Sequence, residues 1–251
     1  MHPFNPTETA EAVIRWIREY FEKSGGSGPA VVGLSGGKDS TVVAALCARA
    51  LGPQKVFAVL LPRGRQHDIE VAREVAAMLG IPSLTVNIAE STDALLSALQ
   101  TAGMEPSPRA LVNTPARIRM TALYAVAATL DGRVANTCNL SEDTVGYSTK
   151  HGDAAGDFSP LSRLTATEVK AVGRALGLPP AFTEKTPEDG LTGLSDEENL
   201  GFTYEVLDEY IRRGTCADAA TREKIGRMRA AGLHKLAPMP RWEPPAPEKP
   251  D

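Results

Sequence analysis

Short apolar runs alternate with segments whose apolar residues recur three and four apart, and this alternation constrains the chain most. The runs "AVVGLS" (30–35), "KVFAVLLP" (55–62), "SLTVNI" (83–88) and "RVANTCN" (133–139) read as strands. The spacing predicts helices over 41–51, closed by Gly52, over 68–79, closed by Gly80, and over 92–99 and 118–130. An amphipathic helix with Ala10, Val13, Ile14, Ile17 and Phe21 on one face precedes them. Strands that take turns with helices pair in parallel, so the expected fold class is α/β, a doubly wound, mostly parallel sheet with helices on both faces. Ligands of such sheets sit beyond the carboxyl ends of the strands, where "SGGKDS" and "NTCNLSED" fall.

The regular alternation stops near residue 144. "GYSTKHGDAAGDFSPLSRL" reads as an ordered loop over the site, followed by helices over 167–176 and 204–212 with the loop-like "TPEDGLTGLSDEENLG" between them. Six of the last fourteen residues are proline, so an extended tail is expected at about 238–251. The chain reads as one domain spanning 1–251, this tail included.

Bulk chemistry removes several function classes. A net charge of −4 offers no basic face for nucleic acid. Cys47, Cys138 and Cys216 are odd in number and far apart, without the paired spacing of a zinc site or a disulfide framework, which suits a reducing cytoplasm. No run is long enough for a membrane span, and the N-terminus lacks the pattern of a signal peptide.

The stretch "AVVGLSGGKDSTVVAALCARALG" (30–52) carries the chemistry. It fails G-x-x-x-x-G-K-[ST], because Asp39 follows Lys38, and it fails G-x-G-x-x-G. What remains is a strand, a loop of Ser35, Gly36 and Gly37, and a helix start. Glycines let the backbone approach a bulky anion, and free N–H groups at a helix start bind phosphate oxygens. Asp39 would repel phosphate unless a cation lies between them, which points to Mg²⁺. A tight turn with Ser40 as helix N-cap and Asp39 favouring the helix dipole accounts for the same residues without a ligand.

"SGGKDS" resembles the S-G-G-x-D-S loop of the PP-loop ATP pyrophosphatases, which split ATP between its α and β phosphates. "NTPARIRMTALYAVA", "NTCNLSEDTVGYSTKHGDAAGDFSPLSRLT", "KTPEDGLTGLSDEENLGFTYEVLDEYI" and "GLHKLAPMP" resemble, in that order, the NAD synthetase family, and the resemblance covers nearly all of residues 8–242. About thirty residues precede the loop, so no glutaminase domain is expected and the chain looks like the ammonia-dependent form. The resemblance implies an adenine nucleotide alpha hydrolase-like fold with a five-stranded sheet. It also implies a homodimer, and ATP-dependent amidation of deamido-NAD by ammonia through an acyl-adenylate.

It further implies site residues. Gly33, Leu34, Ser35, Gly36 and Gly37, with Lys38, Asp39 and Ser40, would hold the ATP phosphates; Thr137 and Gln66 would also touch ATP. Asp39 and Glu142 would hold Mg²⁺. Arg117, Lys150, Asp157, His234 and Lys235 would grip deamido-NAD, with Asn113 nearby. Each has a plainer explanation: a helix-start carboxylate for Glu142, a solvated helix face for Arg117, ordinary surface for His234 and Lys235. Arg119, two residues after Arg117 on the same helix, points elsewhere.

Some positions depart from the family pattern. Ala166 stands where a lysine for ATP is frequent, Glu188 where a small hydroxyl residue is usual, and Leu60 where arginine is common. An apolar residue is frequent at Lys38, which is therefore expected to supply part of the missing positive charge to phosphate. These departures keep two other readings open, a PP-loop enzyme acting on a different acid or on tRNA, and a non-catalytic nucleotide-binding relative.

Overall fold

The structure, a computed structural model, describes residues 4–24, 27–65, 69–184 and 195–243. The elements in chain order are α1 (Pro6–Lys23), β1 (Ala30–Gly33), α2 (Lys38–Leu51), β2 (Val56–Leu60), α3 (Ile69–Leu79), β3 (Ser83–Thr85), α4 (Ala89–Thr101), α5 (Pro108–Leu130), β4 (Arg133–Ala135), α6 (Leu140–Val145), α7 (Ala166–Ala175), α8 (Pro180–Thr183), α9 (Asp196–Leu200), α10 (Tyr204–Arg213) and α11 (Ala219–Leu236). The strands form one parallel sheet in the order β3-β2-β1-β4. In register, Ala30 of β1 lies between Val56 of β2 and Arg133 of β4.

Alternate strand residues feed opposite faces, as a pleat requires. Ala30 and Val32 of β1 and Val56, Ala58 and Leu60 of β2 pack with the apolar sides of α1, α2, α3 and α7. Val31, Val59 and Val134 turn the other way, onto Met120, Leu123 and Ala127 of α5. With both faces covered, the strands are continuously apolar rather than alternating, which made them readable. A third cluster (Val145, Ala166, Leu200, Phe202, Tyr204, Leu207 and Ile225) joins α6, α7, α9, α10 and α11 beyond β4.

The sheet has four strands among the described residues rather than five. Where a fifth would lie, Phe158 makes one parallel bridge to Ala135, with Asn136 N–H donating to Phe158 O at 2.8 Å and Asp157 N–H to Val134 O at 2.8 Å. Pro160 follows closely and has no N–H to extend the ladder. The Phe158 ring is held by α1: it stacks on Tyr20 at 5.0 Å and meets Phe21 edge-on at 5.5 Å.

Several helices differ from expectation: the short α6, α8 and α9 were not expected, and α9 falls in the stretch read as loop-like. α5 starts at Pro108, ten residues early, because Ser107 caps it through Ala110 N–H (3.2 Å) and proline fits the first helical position. Pro115 lies inside it. α11 was not expected; Asp218 caps it, yet only Ile225 and Gly232 are buried, too few for an apolar stripe. Among the described residues no helix is long and apolar enough to cross a membrane.

Candidate active site

The loop after β1 closes upon its own hydroxyls. Leu34 N–H donates to Val59 O at 3.0 Å, carrying the sheet one residue further. Ser35 Oγ lies 3.1 Å from Ser40 Oγ and accepts from Gly37 N–H at 3.2 Å. Gly36 has φ +81°, and a Cβ there would come within 3.1 Å of Ala72 N and Val71 Cγ1, so only glycine fits. The N-cap of α2 is Gly37, without any side-chain cap bond, and Ser40 lies inside the first turn with its hydroxyl on Gly37 O at 3.2 Å. The Ser40-cap alternative therefore does not describe this helix. The loop presents an uncapped helix start at the carboxyl edge of the sheet, the geometry that favours anions.

Acids converge on this edge from a second direction. Asn139 caps α6: its Oδ1 accepts from Ser141 N–H (3.0 Å) and Glu142 N–H (3.1 Å), while Glu142 Oε2 accepts from Asn139 N–H (3.1 Å). The Asn139 amide then donates to Asp39 Oδ1 at 3.1 Å, and Lys38 Nζ donates to Asp39 Oδ2 at 2.6 Å. Asp196 joins the group, accepting from Tyr204 O–H at 3.2 Å. Burial pushes the Glu142 carboxyl well above its usual range, the Asp39 charge adds to this, and Lys38 opposes it. Burial alone would pull the Lys38 ammonium down, but Asp39, Glu142 and Asp196 together hold it above its ordinary value. Burial also raises Asp196.

Among the described residues no three His, Cys, Asp or Glu side chains could hold a metal by themselves. Asp39 and Glu142 form a two-carboxylate set, which suits Mg²⁺, an ion that keeps several waters and takes its remaining ligands from phosphates. Lys38, expected to face phosphate, instead faces Asp39. Thr137 lies half-buried in the irregular segment between β4 and α6. The Cys138 thiol is pushed well above its usual range by burial and the acids nearby, which disfavours its thiolate.

A second group gathers beside the first. Arg117 Nε donates to Lys150 O at 3.2 Å, and Thr149 Oγ1 to Asn113 Oδ1 at 3.0 Å. Lys150 Nζ donates to His234 O, and Lys235 Nζ to Gly146 O and Ser148 O, all at 2.7 Å. α11 comes this close because Gly232 meets Gly146, where a Cβ on Gly232 would lie 2.7 Å from Gly146 Cα. Asn113, Arg117, Lys150, His234 and Lys235 are thus brought together. Asp157 is not with them: Oδ2 accepts from Val134 N–H (2.7 Å) and Oδ1 from Tyr124 O–H (3.3 Å), beside a groove lined by Trp16, Glu19, Tyr20, Lys23 and Ser24. Tyr20 O–H donates to its backbone oxygen at 3.2 Å. Arg119 points away from Arg117, with Nε on Leu61 O at 3.1 Å.

Gln66 and Glu188 lie outside the described residues. Ala166 is buried, its N–H on Ser141 Oγ at 3.0 Å. Asn139, Asp196 and Tyr204 were not singled out from sequence. For Asn139 a signal existed, the N-x-x-E spacing of a capping box with Glu142; for Asp196 and Tyr204 only three-dimensional convergence reveals the role.

A glycine loop between a parallel strand and its helix, in this doubly wound sheet, defines an α/β protein of nucleotide-binding type, and the Ser35–Ser40 sequence in that loop resembles the PP-loop class. The family model described as NAD synthase matches residues 9–237, and the chain belongs to that family. The NH(3)-dependent NAD(+) synthetase of Carboxydothermus hydrogenoformans is 40% identical over 234 residues, covering 92% of this chain and 95% of that protein. The NH(3)-dependent NAD(+) synthetase of Methanocaldococcus jannaschii is 42% identical over 212 residues, covering 82% of this chain and 80% of that one. Among solved structures, NMN synthetase from Francisella tularensis has a TM-score of 0.87 at 32% identity, covering 95% of this chain and 100% of that one. The NH3-dependent NAD synthetase from Campylobacter jejuni, in complex with nitrate ion, has a TM-score of 0.78 at 28% identity, covering 96% and 100%.

Proposed function

We propose that this chain joins ammonia to deamido-NAD at the expense of ATP, giving NAD, AMP and pyrophosphate. The observation that carries the reading is the Asn139–Asp39 hydrogen bond, which ties the glycine loop to the helix bearing Glu142. Full-length relatives named for the ammonia-dependent reaction support it.

A carboxylate is a poor electrophile, and two anions must meet. In the first step the nicotinate carboxylate attacks the α-phosphorus, the bond to the β-phosphate's bridging oxygen breaks, and pyrophosphate leaves. In the second, the ammonia lone pair attacks the acyl carbon, AMP leaves, and a proton is lost. The backbone of Gly33, Leu34, Ser35, Gly36 and Gly37, the start of α2, and the Ser35 and Ser40 hydroxyls orient the triphosphate. Lys38 adds positive charge, and Thr137 bounds the nucleotide from the β4 side. Asp39 and Glu142 would hold Mg²⁺, which when bound supplies charge neutralisation at the phosphates. Asn113, Arg117, Lys150, His234 and Lys235 hold the acid dinucleotide.

A homodimer is part of this reading, supported by the exposed Trp16 on α1 and Leu111, Val112 and Tyr124 on α5. The cytoplasm is the proposed compartment, in keeping with an ATP-consuming reaction and three free cysteines.

A second reading takes the corresponding mononucleotide acid as substrate; the higher TM-score to an NMN synthetase favours it. One experiment separates these. Purified protein is incubated with ATP, Mg²⁺ and ammonium, and with either deamido-NAD or nicotinate mononucleotide. NAD with AMP and pyrophosphate, at a kcat/KM well above that for the mononucleotide, supports the first reading. The reverse preference supports the second, and ATP binding without turnover of either acid rejects both.

A further inference from the structure

The ammonium of Lys38 is sunk into the acid cluster rather than displayed on the phosphate loop. Its side chain is 1% exposed, Nζ is 2.6 Å from Asp39 Oδ2, and it lies 5.4 Å from the centre of the Tyr204 ring. Glu142 and Asp196 both act on it through their charges. A lysine this deeply buried stays charged only if acids surround it. Here one ammonium serves three carboxylates.

Each Asp39 oxygen already carries a donor: Oδ2 accepts from Lys38 Nζ and Oδ1 from the Asn139 amide, so a metal ion that reaches this carboxylate must share an oxygen with one of them. Only Lys38 carries a charge that the incoming cation repels. Glu142 is likewise engaged, through the backbone N–H of Asn139.

We propose that Lys38 is a resident cation of the Asp39–Glu142–Asp196 cluster, competing with divalent metal for Asp39 until a triphosphate gives its ammonium a new partner. This rests on the reading that Asp39 and Glu142 hold Mg²⁺. It makes metal alone a weak ligand and metal together with nucleotide a strong one. Lys38 thereby couples the two bindings, which a glycine loop without a buried lysine would leave more nearly independent.

The test uses Mn²⁺ as probe and the full-length protein. Free Mn²⁺ is measured by electron paramagnetic resonance during titration, first without nucleotide. Lys38→Met keeps length and removes charge, and is expected to bind Mn²⁺ about tenfold more tightly than the unaltered protein. Lys38→Gln, which keeps a donor towards Asp39, should shift in the same direction. With a non-hydrolysable ATP analogue added, the order should reverse, because the variants lack the phosphate partner.

Equal or weaker Mn²⁺ binding by folded variants overturns the proposal. Should neither variant fold, crystals of the unaltered protein soaked in Mn²⁺ decide: Lys38 Nζ is expected to have left hydrogen-bond distance of Asp39, and a kept contact overturns the proposal. Failure of the two readings is distinguishable. Equal Mn²⁺ binding by all forms removes the role of Lys38 alone, whereas no binding by any form, Asp39 and Glu142 intact, removes the metal site and the proposal with it.

Discussion

The side-chain amide of Asn139 donates to Asp39 Oδ1 at 3.1 Å and joins the loops that follow two neighbouring parallel strands. The same side chain caps α6, so one residue sets both where Glu142 sits and how Asp39 is turned. Asn139→Ala removes the cap and leaves buried partners unpaired. A loss of about 2 kcal/mol is expected. That is a fall in Tm of roughly 4–8 °C for a chain of this size, read by calorimetry. Turnover should fall further than stability explains, seen as a drop in kcat at a temperature where the variant is fully folded.

Asp39→Asn and Glu142→Gln each keep the shape of the site and remove one charge. A fall in kcat of about 100-fold or more is expected for each, on the order of 3 kcal/mol of transition-state stabilisation. Pyrophosphate release under saturating substrates checks it. Near-normal turnover by either variant would remove that carboxylate from the site.

Arg117 donates to the Lys150 carbonyl, within the group proposed to hold the acid substrate. Arg117→Ala should therefore raise KM for the acid substrate about tenfold or more and leave KM for ATP within about twofold. Both are measured by varying one substrate at a fixed excess of the other. A change confined to ATP would reverse the assignment.

Asp143 gives a pH dependence of known sign. Burial, with Asp153 adding its charge, moves its carboxyl from an ordinary 3.8 up to about 6. The folded state then binds more protons than the unfolded chain between those values. Stability from this group is full below about pH 4 and falls as pH rises through about 6. Asp143→Asn should flatten that fall and leave the variant more stable than the unaltered protein at about pH 7.5, by urea midpoints at about pH 4 and about pH 7.5.

α11 offers a matched pair of glycines. A methyl group added at Gly226 would meet nothing within 4 Å among the described residues, while Gly232 would place its Cβ 2.7 Å from Gly146 Cα. Gly226→Ala should stabilise by up to ~1 kcal/mol through helix propensity. Gly232→Ala gains the same propensity but forces two backbones apart, and overpacking of roughly 1–3 kcal/mol outweighs it. Opposite shifts in Tm are expected, with only Gly232→Ala raising KM for the acid substrate.

Much of this architecture was legible because burial on both faces writes strands as uninterrupted apolar runs, as in Ala30 to Gly33 and Val56 to Leu60. The loop from Ser35 to Ser40 was legible through its glycines and acid. Other parts lacked a local signature. The first ten residues of α5 include Pro108, Pro115 and Asn113, which read as loop although Ser107 and Pro108 are good starting residues. α11 is polar on most sides, so periodicity does not betray it. Asp196 and Tyr204 reach Lys38 from a segment more than 150 residues away, and no spacing rule links such positions. Conversely, Asp157 shares a loop with Lys150 yet serves Val134 and Tyr124 at the sheet edge.

The single bridge from Phe158 to Ala135 gives the amino-terminal helix a duty that its position conceals. The ring of Phe158 is clasped by Tyr20 and Phe21, so the segment beside β4 is moored to α1. Trimming that helix would spare every phosphate-loop residue and still free the Phe158 strand-end from its hold beside β4.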